Sequence, residues 1–557
     1  MRMPESRRLG GSPARGLPMQ ADSYWKGSLR HPFPIAQPSG TAMRSLLVIS
    51  IVAVLCVGSA KAIAEPPQEK TAHLNGALDL SCTGNIHAEA IKSWERTTRA
   101  YVSEQITDNL NKKGDVYVLY NMQVRLQSFV EMTRRCKDRL QITQLVDALT
   151  PVFDSLKPLP DAPATRGWVC TGGSTCTSAN HLLGQEVQLC SAQFLGLLGA
   201  LATNIAETLP EEQRSAAERV FVTNTASTIA AQLDHWLSPD YFKWVEARSK
   251  MTPAEAVDGQ SKYFFADRDL WFMTSLADLA ELHQAGIRLD AAGAKAFKSL
   301  QSKRNQIAGM FNLFQARTTL INTSSGKRAE IDRGYWRNYG DSRYALYSTA
   351  VSPVTCHKNM FGLMQKSFRV ESKASYIDTN LGWDFSHARR LVPALDTLVR
   401  NRPNLAAVFG YRAPDFDPAK LQQAFARQIV DKIWNKDMQH PLFTNFWDGS
   451  NGWYRAGYDN GTGSCRPGEM PYSLAWSFPT GSYPQWGSFN STIRSLSQQI
   501  YLLIHSSDTE SKAFIDKFYP QLQLQSKPGD YRDIWMMVFS SSLVGLASPS
   551  AMQLPQK

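Results

Sequence analysis

The chain has 557 residues, the length of three to four ordinary domains. It is 43% hydrophobic and 20% charged, with 35 Gly and 29 Pro, which excludes a disordered chain, a collagen and a coiled coil. The net charge is +11, but residues 1–64 supply eight Lys and Arg against two acids, so the remainder is only mildly basic and no nucleic acid is expected as a partner.

At the N-terminus, Met43-Arg44 opens a short basic region ahead of the apolar run from Ser45 to Gly58. Ala60-Lys61-Ala62 and Ala62-Ile63-Ala64 both offer a small-x-small cleavage site. That order predicts a secretory signal over 43–64. The run is shorter than the ~20 apolar residues a bilayer span needs. Residues 1–42 show no helical or strand period and read as a leader upstream of a true start at Met43. Leu55 before Cys56 argues against a lipoprotein, since a small residue is expected there. The mature product, from Ile63 or Glu65, is expected to be periplasmic or secreted. No stable membrane insertion is expected after cleavage, because the later run around Phe194–Leu201 is flanked by Gln188, Gln193 and Asn204.

An oxidising compartment favours disulfides among the seven remaining cysteines. Cys170 and Cys176 can close a Gly-rich loop, Cys82 and Cys136 can tie two early helices, and Cys356 and Cys465 can tie two loops. Sequence alone leaves the connectivity open. Cys190 sits in an apolar helical pattern and is expected as a buried thiol. No CxxC or HExxH occurs, so no zinc site is expected. No cofactor is implied, although a carboxylate-only Ca²⁺ site would leave little spacing signal.

Most of the mature chain carries helical periodicity. Ile91, Trp94, Thr98, Tyr101, Val102, Ile106 and Leu110 form a stripe that stops at Lys112-Lys113-Gly114. Pro210-Glu-Glu reads as a helix start running on to Leu237. Leu270 to His283 forms a third stripe, ended by Gly286, and Asp290 caps a helix through Ala291–Arg304. Ile493 to Ile504 forms a late stripe. Pro158–Gly167 is the best linker candidate, dividing a helical segment 65–165 from a larger domain 166–550. The fold expected is mostly α, an α/α toroid in which helical hairpins form an incomplete barrel with long aromatic-rich loops. The segment 441–490 is too long and aromatic for a plain connection and invites short strands.

Three loop segments mix Trp and Tyr with carboxylates, amides and Arg. The first contains Asn338, Tyr339, Asp341 and Arg343. The second is Trp383-Asp384-Phe-Ser-His387-Ala-Arg389-Arg390. The third contains Trp447, Asp448, Asn451, Trp453, Tyr454 and Arg455, continuing to Glu469. Aromatic faces stack on a pyranose while the polar groups bond its hydroxyls, so a polysaccharide is the expected partner. Asp384 and Ser386 both qualify as N-cap of a helix near His387, and the positive end of that helix with Arg389 and Arg390 suits a uronate. Glycoside hydrolysis would draw on Asp341, Asp384, Asp448 and Glu469 as paired carboxylates. β-Elimination or epimerisation would need Arg or Asn to neutralise the uronate and His or Tyr to move the proton.

The signal, the helical hairpins and these Asn/His/Tyr/Arg loops resemble the α/α-toroid polysaccharide lyases and related toroid glycosidases, over residues 170–545. In those lyases an Asn neutralises the uronate and a His/Tyr pair handles the proton. The resemblance therefore implies Asn338 or Asn451, His387 and Tyr454 in these roles, while the residue pattern of the loops itself points to Trp383, Trp447, Trp453, Tyr339, Arg343, Arg389, Arg390 and Arg455 as substrate-binding. The expectation is a secreted enzyme that cleaves or modifies an acidic polysaccharide, with lyase or epimerase chemistry ahead of hydrolysis. The alternative is a non-catalytic glycan- or envelope-binding protein.

Overall fold

A computed structural model describes residues 78–178, 181–252, 255–256, 264–332, 355–358, 360–361, 364–367, 382–411, 416–451, 471–522 and 531–546. The described chain is mostly helical, with three short antiparallel hairpins. The expected signal segment 43–64 and the leader 1–42 lie outside the described residues.

The first apolar stripe folds as one helical run. It comprises α1 (Asn85–Ser93), a π-helical stretch Trp94–Thr98, α2 (Arg99–Glu104) and a second π-helical stretch Gln105–Lys112. The wider π turns keep Trp94, Val102, Ile106 and Leu110 on the buried side. Gly114 ends the run at φ +78°. Then follow α3 (Tyr117–Cys136) and α4 (Arg139–Leu149). The disulfide Cys82–Cys136 ties the entry of α1 to the end of α3, and Cys170–Cys176 closes the Gly-rich loop. Both pairings match the expectation and fit an oxidising compartment. Cys190 is a buried free thiol, and Cys465 lies outside the described residues.

The stretch expected as a linker is a hairpin, β1 (Lys157–Pro158) on β2 (Arg166–Gly167). Its Leu159 is buried, and Gln232 donates to the Arg166 carbonyl at 3.2 Å. One apolar core continues across both sides of it.

The helix α5 (Gln188–Thr208) is long and apolar enough to cross a membrane, but its apolar stretch is covered by other helices. Two glycines set how closely α8 (Asp267–Gln284) approaches it. A Cβ at Gly196 would stand 2.5 Å from the Trp271 ring, and one at Gly199 would stand 2.6 Å from Asp278 Oδ2. Between them in sequence comes α6 (Ala216–Trp236). Its start differs from the expected one. Pro210 opens only a short 3₁₀ turn, Glu211–Gln213, and the helix is capped by Ser215. There Ser215 N donates to Glu218 Oε2 at 2.7 Å and Glu218 N to Ser215 Oγ at 3.2 Å, a reciprocal cap that Pro210 has no side-chain oxygen to make.

Further along come α7 (Pro239–Ser249), α9 (Ala291–Ser302) and α10 (Arg304–Arg317). Asp290 caps α9 as expected, accepting from Gly293 N at 2.7 Å. The hairpins β3 (Thr318–Thr323)/β4 (Gly326–Ile331) and β5 (Thr355–Lys358)/β6 (Met364–Ser367) follow. The chain closes with α11 (Phe385–Ala388), α12 (Leu391–Phe409), α13 (Pro418–Gln428), α14 (Ser477–Thr480), α15 (Ser491–His505), α16 (Thr509–Phe518) and α17 (Tyr531–Leu543). In place of strands, the described part of 441–490 holds isolated backbone bridges, α14 and a 3₁₀ turn, Tyr483–Ser488.

Packing follows a consistent order. The helices α17, α3, α5, α8, α12 and α13 each pack on the next, while α1 backs α17, α6 backs α5 and α8, and α9 backs α6. The turn Tyr483–Ser488 contacts α17 and reaches α12, where Gln485 and Trp486 donate to Asp396 at 2.5 and 3.1 Å.

Candidate functional site

The four-residue helix α11 carries the sharpest sequence feature. Asp384 is its N-cap, in extended backbone geometry, which settles the choice between Asp384 and Ser386. Asp384 Oδ1 accepts from Ser386 N at 3.0 Å, His387 N at 3.0 Å and Ser386 Oγ at 2.5 Å. Asp384 Oδ2 lies 2.5 Å from His387 Nδ1, an ion pair when the imidazole is protonated. The carboxylate is fully buried and the imidazole nearly so. A carboxylate at Nδ1 holds the ring in one orientation.

The third segment lies beside the second. Phe385 N donates to the Asn445 carbonyl at 2.8 Å and Trp447 N to the Trp383 carbonyl at 2.7 Å, flanking a backbone bridge between Asp384 and Phe446. The Tyr483 ring stacks on Phe385 with centroids 4.6 Å apart, and its hydroxyl donates to the Phe385 carbonyl at 2.8 Å. Burial pushes that phenol well above its usual range. The α11 turn is therefore held from both sides.

Arg389 and Arg390 are buried rather than spread over a surface. Arg390 Nη2 donates to Tyr120 Oη at 2.8 Å, Nε donates to Gln193 Oε1 at 3.1 Å, and Asp267 Oδ2 stands 3.5 Å from Nε. Arg389 Nη2 reaches the same Tyr120 hydroxyl at 3.4 Å. Burial lowers the affinity of Arg389 for its proton, and the neighbouring charge of Arg390 adds to this. Tyr120, Gln193 and Asp267 come from α3, α5 and α8, and sequence reasoning missed them as site residues. Their signal was faint: Gln193 is a polar residue inside an apolar helical run.

The other expected site residues are placed as follows. Trp383 and Trp447 are core residues, not exposed stacking platforms. The Trp447 ring packs 5.9 Å from Phe425 and 6.3 Å from Phe385 between centroids, and its indole N–H donates to the Ala329 carbonyl at 3.0 Å. Asp448 caps a local turn, accepting from Ser450 N at 3.1 Å and Ser450 Oγ at 2.9 Å. Asn451 Oδ1 accepts from Tyr472 N at 2.9 Å, bridging chain positions 21 residues apart. Asn338, Tyr339, Asp341, Arg343, Trp453, Tyr454, Arg455 and Glu469 lie outside the described residues. Among the described residues, no group of three His, Cys, Asp or Glu side chains is placed to hold a metal ion.

Compared with known proteins, the chain matches no family model, no curated protein and no solved structure.

Proposed function

We propose that the mature chain is a secreted, carbohydrate-active enzyme that cleaves or modifies an acidic polysaccharide by β-elimination or epimerisation. The observation that carries this reading is the Asp384–His387 pair, with Arg389 and Arg390 following two and three residues after His387. Proton abstraction beside a uronate needs an oriented base and nearby positive charge, and this segment supplies both. His387 takes the role of proton-transfer group and Asp384 that of positioning residue. Hydrolysis is less well supported. It needs two carboxyl groups flanking one bond. Asp384 is engaged by the α11 turn and His387, and Asp448 by its own turn. The succession of helices is compatible with the α/α toroid that the resemblance implies, and the two disulfides with export.

The test is an activity screen of the chain from Glu65 on acidic and neutral polysaccharides, following ultraviolet absorbance and reducing ends together. New absorbance with new ends is expected for elimination, and uronate epimers by NMR for epimerisation. Either activity should fall at least a hundredfold in His387→Ala with the melting temperature retained. New ends without absorbance, or full activity in His387→Ala, would overturn the assignment.

A further inference from the structure

Among the described residues, Arg389 is a buried cation without a counter-charge. Its residue exposure is 7%, and its hydrogen bond there is the 3.4 Å contact with the Tyr120 hydroxyl. Other buried arginines among the described residues have an acid, backbone carbonyls or aromatic rings beside them. Arg248 pairs with Asp269 at 2.7 Å, and Arg390 has Asp267 at 3.5 Å. Arg214 donates to the Leu209 and Ala206 carbonyls. Arg125 lies over the rings of Tyr101, Tyr531 and Trp535. Arg389 has no acid, carbonyl or ring of this kind among the described residues.

Its side chain instead lines a small cavity between α3 and the turn 480–482, walled by Gln123, Gln127, Thr480, Ser482 and Arg390. The cavity offers about 10 Å³, room for about one water molecule. A water there would satisfy hydrogen bonds but leave the charge. A buried ion without a partner costs several kcal/mol. The walls offer amides, hydroxyls and a second guanidinium, and no carboxylate.

We infer that this cavity is an anion site, and that it takes one small monovalent anionic group: a halide ion or the tip of a carboxylate. Arg389 supplies the charge, with Arg390 beside it. The α11 dyad takes no part in this binding. The test of anion binding uses no polysaccharide, so its outcome is read separately from that of the proposed activity.

The mature chain is prepared in sodium sulfate, whose anion is too large for the cavity. Sulfate is then exchanged at constant ionic strength for chloride, bromide, acetate or glucuronate, and the melting temperature is followed. Replacing sulfate lowers protein stability in general. A saturable rise of a few degrees against that trend is expected for the wild type. No such rise is expected for Arg389→Gln, which should melt no lower than the wild type in sulfate. Crystals soaked in bromide should show an anomalous peak within hydrogen-bonding distance of Arg389, a readout that needs no variant. A response to halide alone assigns a free ion, and a response to acetate or glucuronate assigns a carboxylate-bearing ligand. Either supports the site. A wild type without a saturable rise, or bromide absent from Arg389, would overturn it.

Discussion

Asp384 acts through both of its oxygens. One closes the first turn of α11 on two backbone N–H groups and a hydroxyl, and the other holds His387. Asp384→Ala removes the cap and the imidazole's charge partner together. Loss of an N-cap costs about 1 kcal/mol, so the urea midpoint should drop modestly, whereas activity on the substrate should fall far more. Asp384→Asn keeps a cap acceptor without the negative charge. It should recover most of the stability and little of the activity. Equal losses of both in the two variants would make Asp384 merely structural. The cap was legible in Trp383-Asp-Phe-Ser-His387, where Asp384 and Ser386 both qualified, but the contact of Asp384 with His387 was not read from the sequence. The cradle around Arg390 was not legible either. Tyr120, Gln193 and Asp267 arrive from three helices far away in the chain, and only packing brings them together. Nor could composition separate a Trp that stacks on a sugar from one that fills the space between helices. Trp447 is the second kind.

At the scale of elements, the α5–α8 contact depends on missing side chains. Gly196→Ala would drive a methyl into the Trp271 ring at 2.5 Å, and that ring is itself buried. Overpacking of this kind typically costs about 1–3 kcal/mol, which exceeds the helix propensity gained, and the urea midpoint should fall. Gly309, within α10, is the contrast. A Cβ there meets nothing closer than Val245 Cγ1 at 3.9 Å. Gly309→Ala should therefore stabilise by roughly 0.5–1 kcal/mol. Opposite signs in the two variants are the expected result. The disulfides make a second ordering. Cys82–Cys136 has a sequence separation of 54 and Cys170–Cys176 one of 6. The chain-entropy model gives about 4 kcal/mol for the longer loop and about 2 for the shorter. A Cys82→Ser/Cys136→Ser variant should thus unfold at lower urea than Cys170→Ser/Cys176→Ser. Apolar stripes made α1, α8 and α15 legible in the chain, and the Asp290 cap made α9 so. The start of α6 was less so. A proline followed by two acids is a strong helix signal, but Ser215 and Glu218 make the reciprocal cap a few residues later. The turn between is closed by Arg214, whose Nε donates to the Leu209 carbonyl at 2.8 Å, a contact that no local pattern announces.

At the scale of the whole molecule, the helices gather buried and half-buried charge, with Glu207 at its exposed edge. Glu131, Arg134 and Arg135 come from α3, Glu207 from α5, Asp278 and Glu281 from α8, and Asp396 and Arg400 from α12. The acids outnumber the cations, and burial raises Asp278, Glu281 and Asp396. Burial pushes Asp278 up to about 8 despite Arg400, which lies 3.4 Å away. Burial, with the charge of Glu131, pushes Asp396 up to about 6. Burial likewise raises Glu186 and Asp332, each to about 7. A carboxyl group raised in this way binds its proton more tightly folded than unfolded. Its stabilising contribution is complete below about pH 4, the unfolded value, and is lost as pH rises through the folded value. His505, which burial would lower but Glu89 raises, loses its contribution over the same rise. Asp269, which burial would raise but Arg248 holds down, acts oppositely, but only in acid. The urea midpoint should therefore be higher at pH 5.5 than at pH 8.5. Each unit of raised pKa is worth about 1.4 kcal/mol, so Asp278→Asn should flatten much of that slope. An unchanged slope in Asp278→Asn would place the buried protons elsewhere. The same arrangement explains why apolar periodicity located these helices but did not reveal what they enclose. The acids and arginines of α3, α5, α8 and α12 face one another only once the helices are packed, and their excess negative charge then ties the stability of the fold to pH.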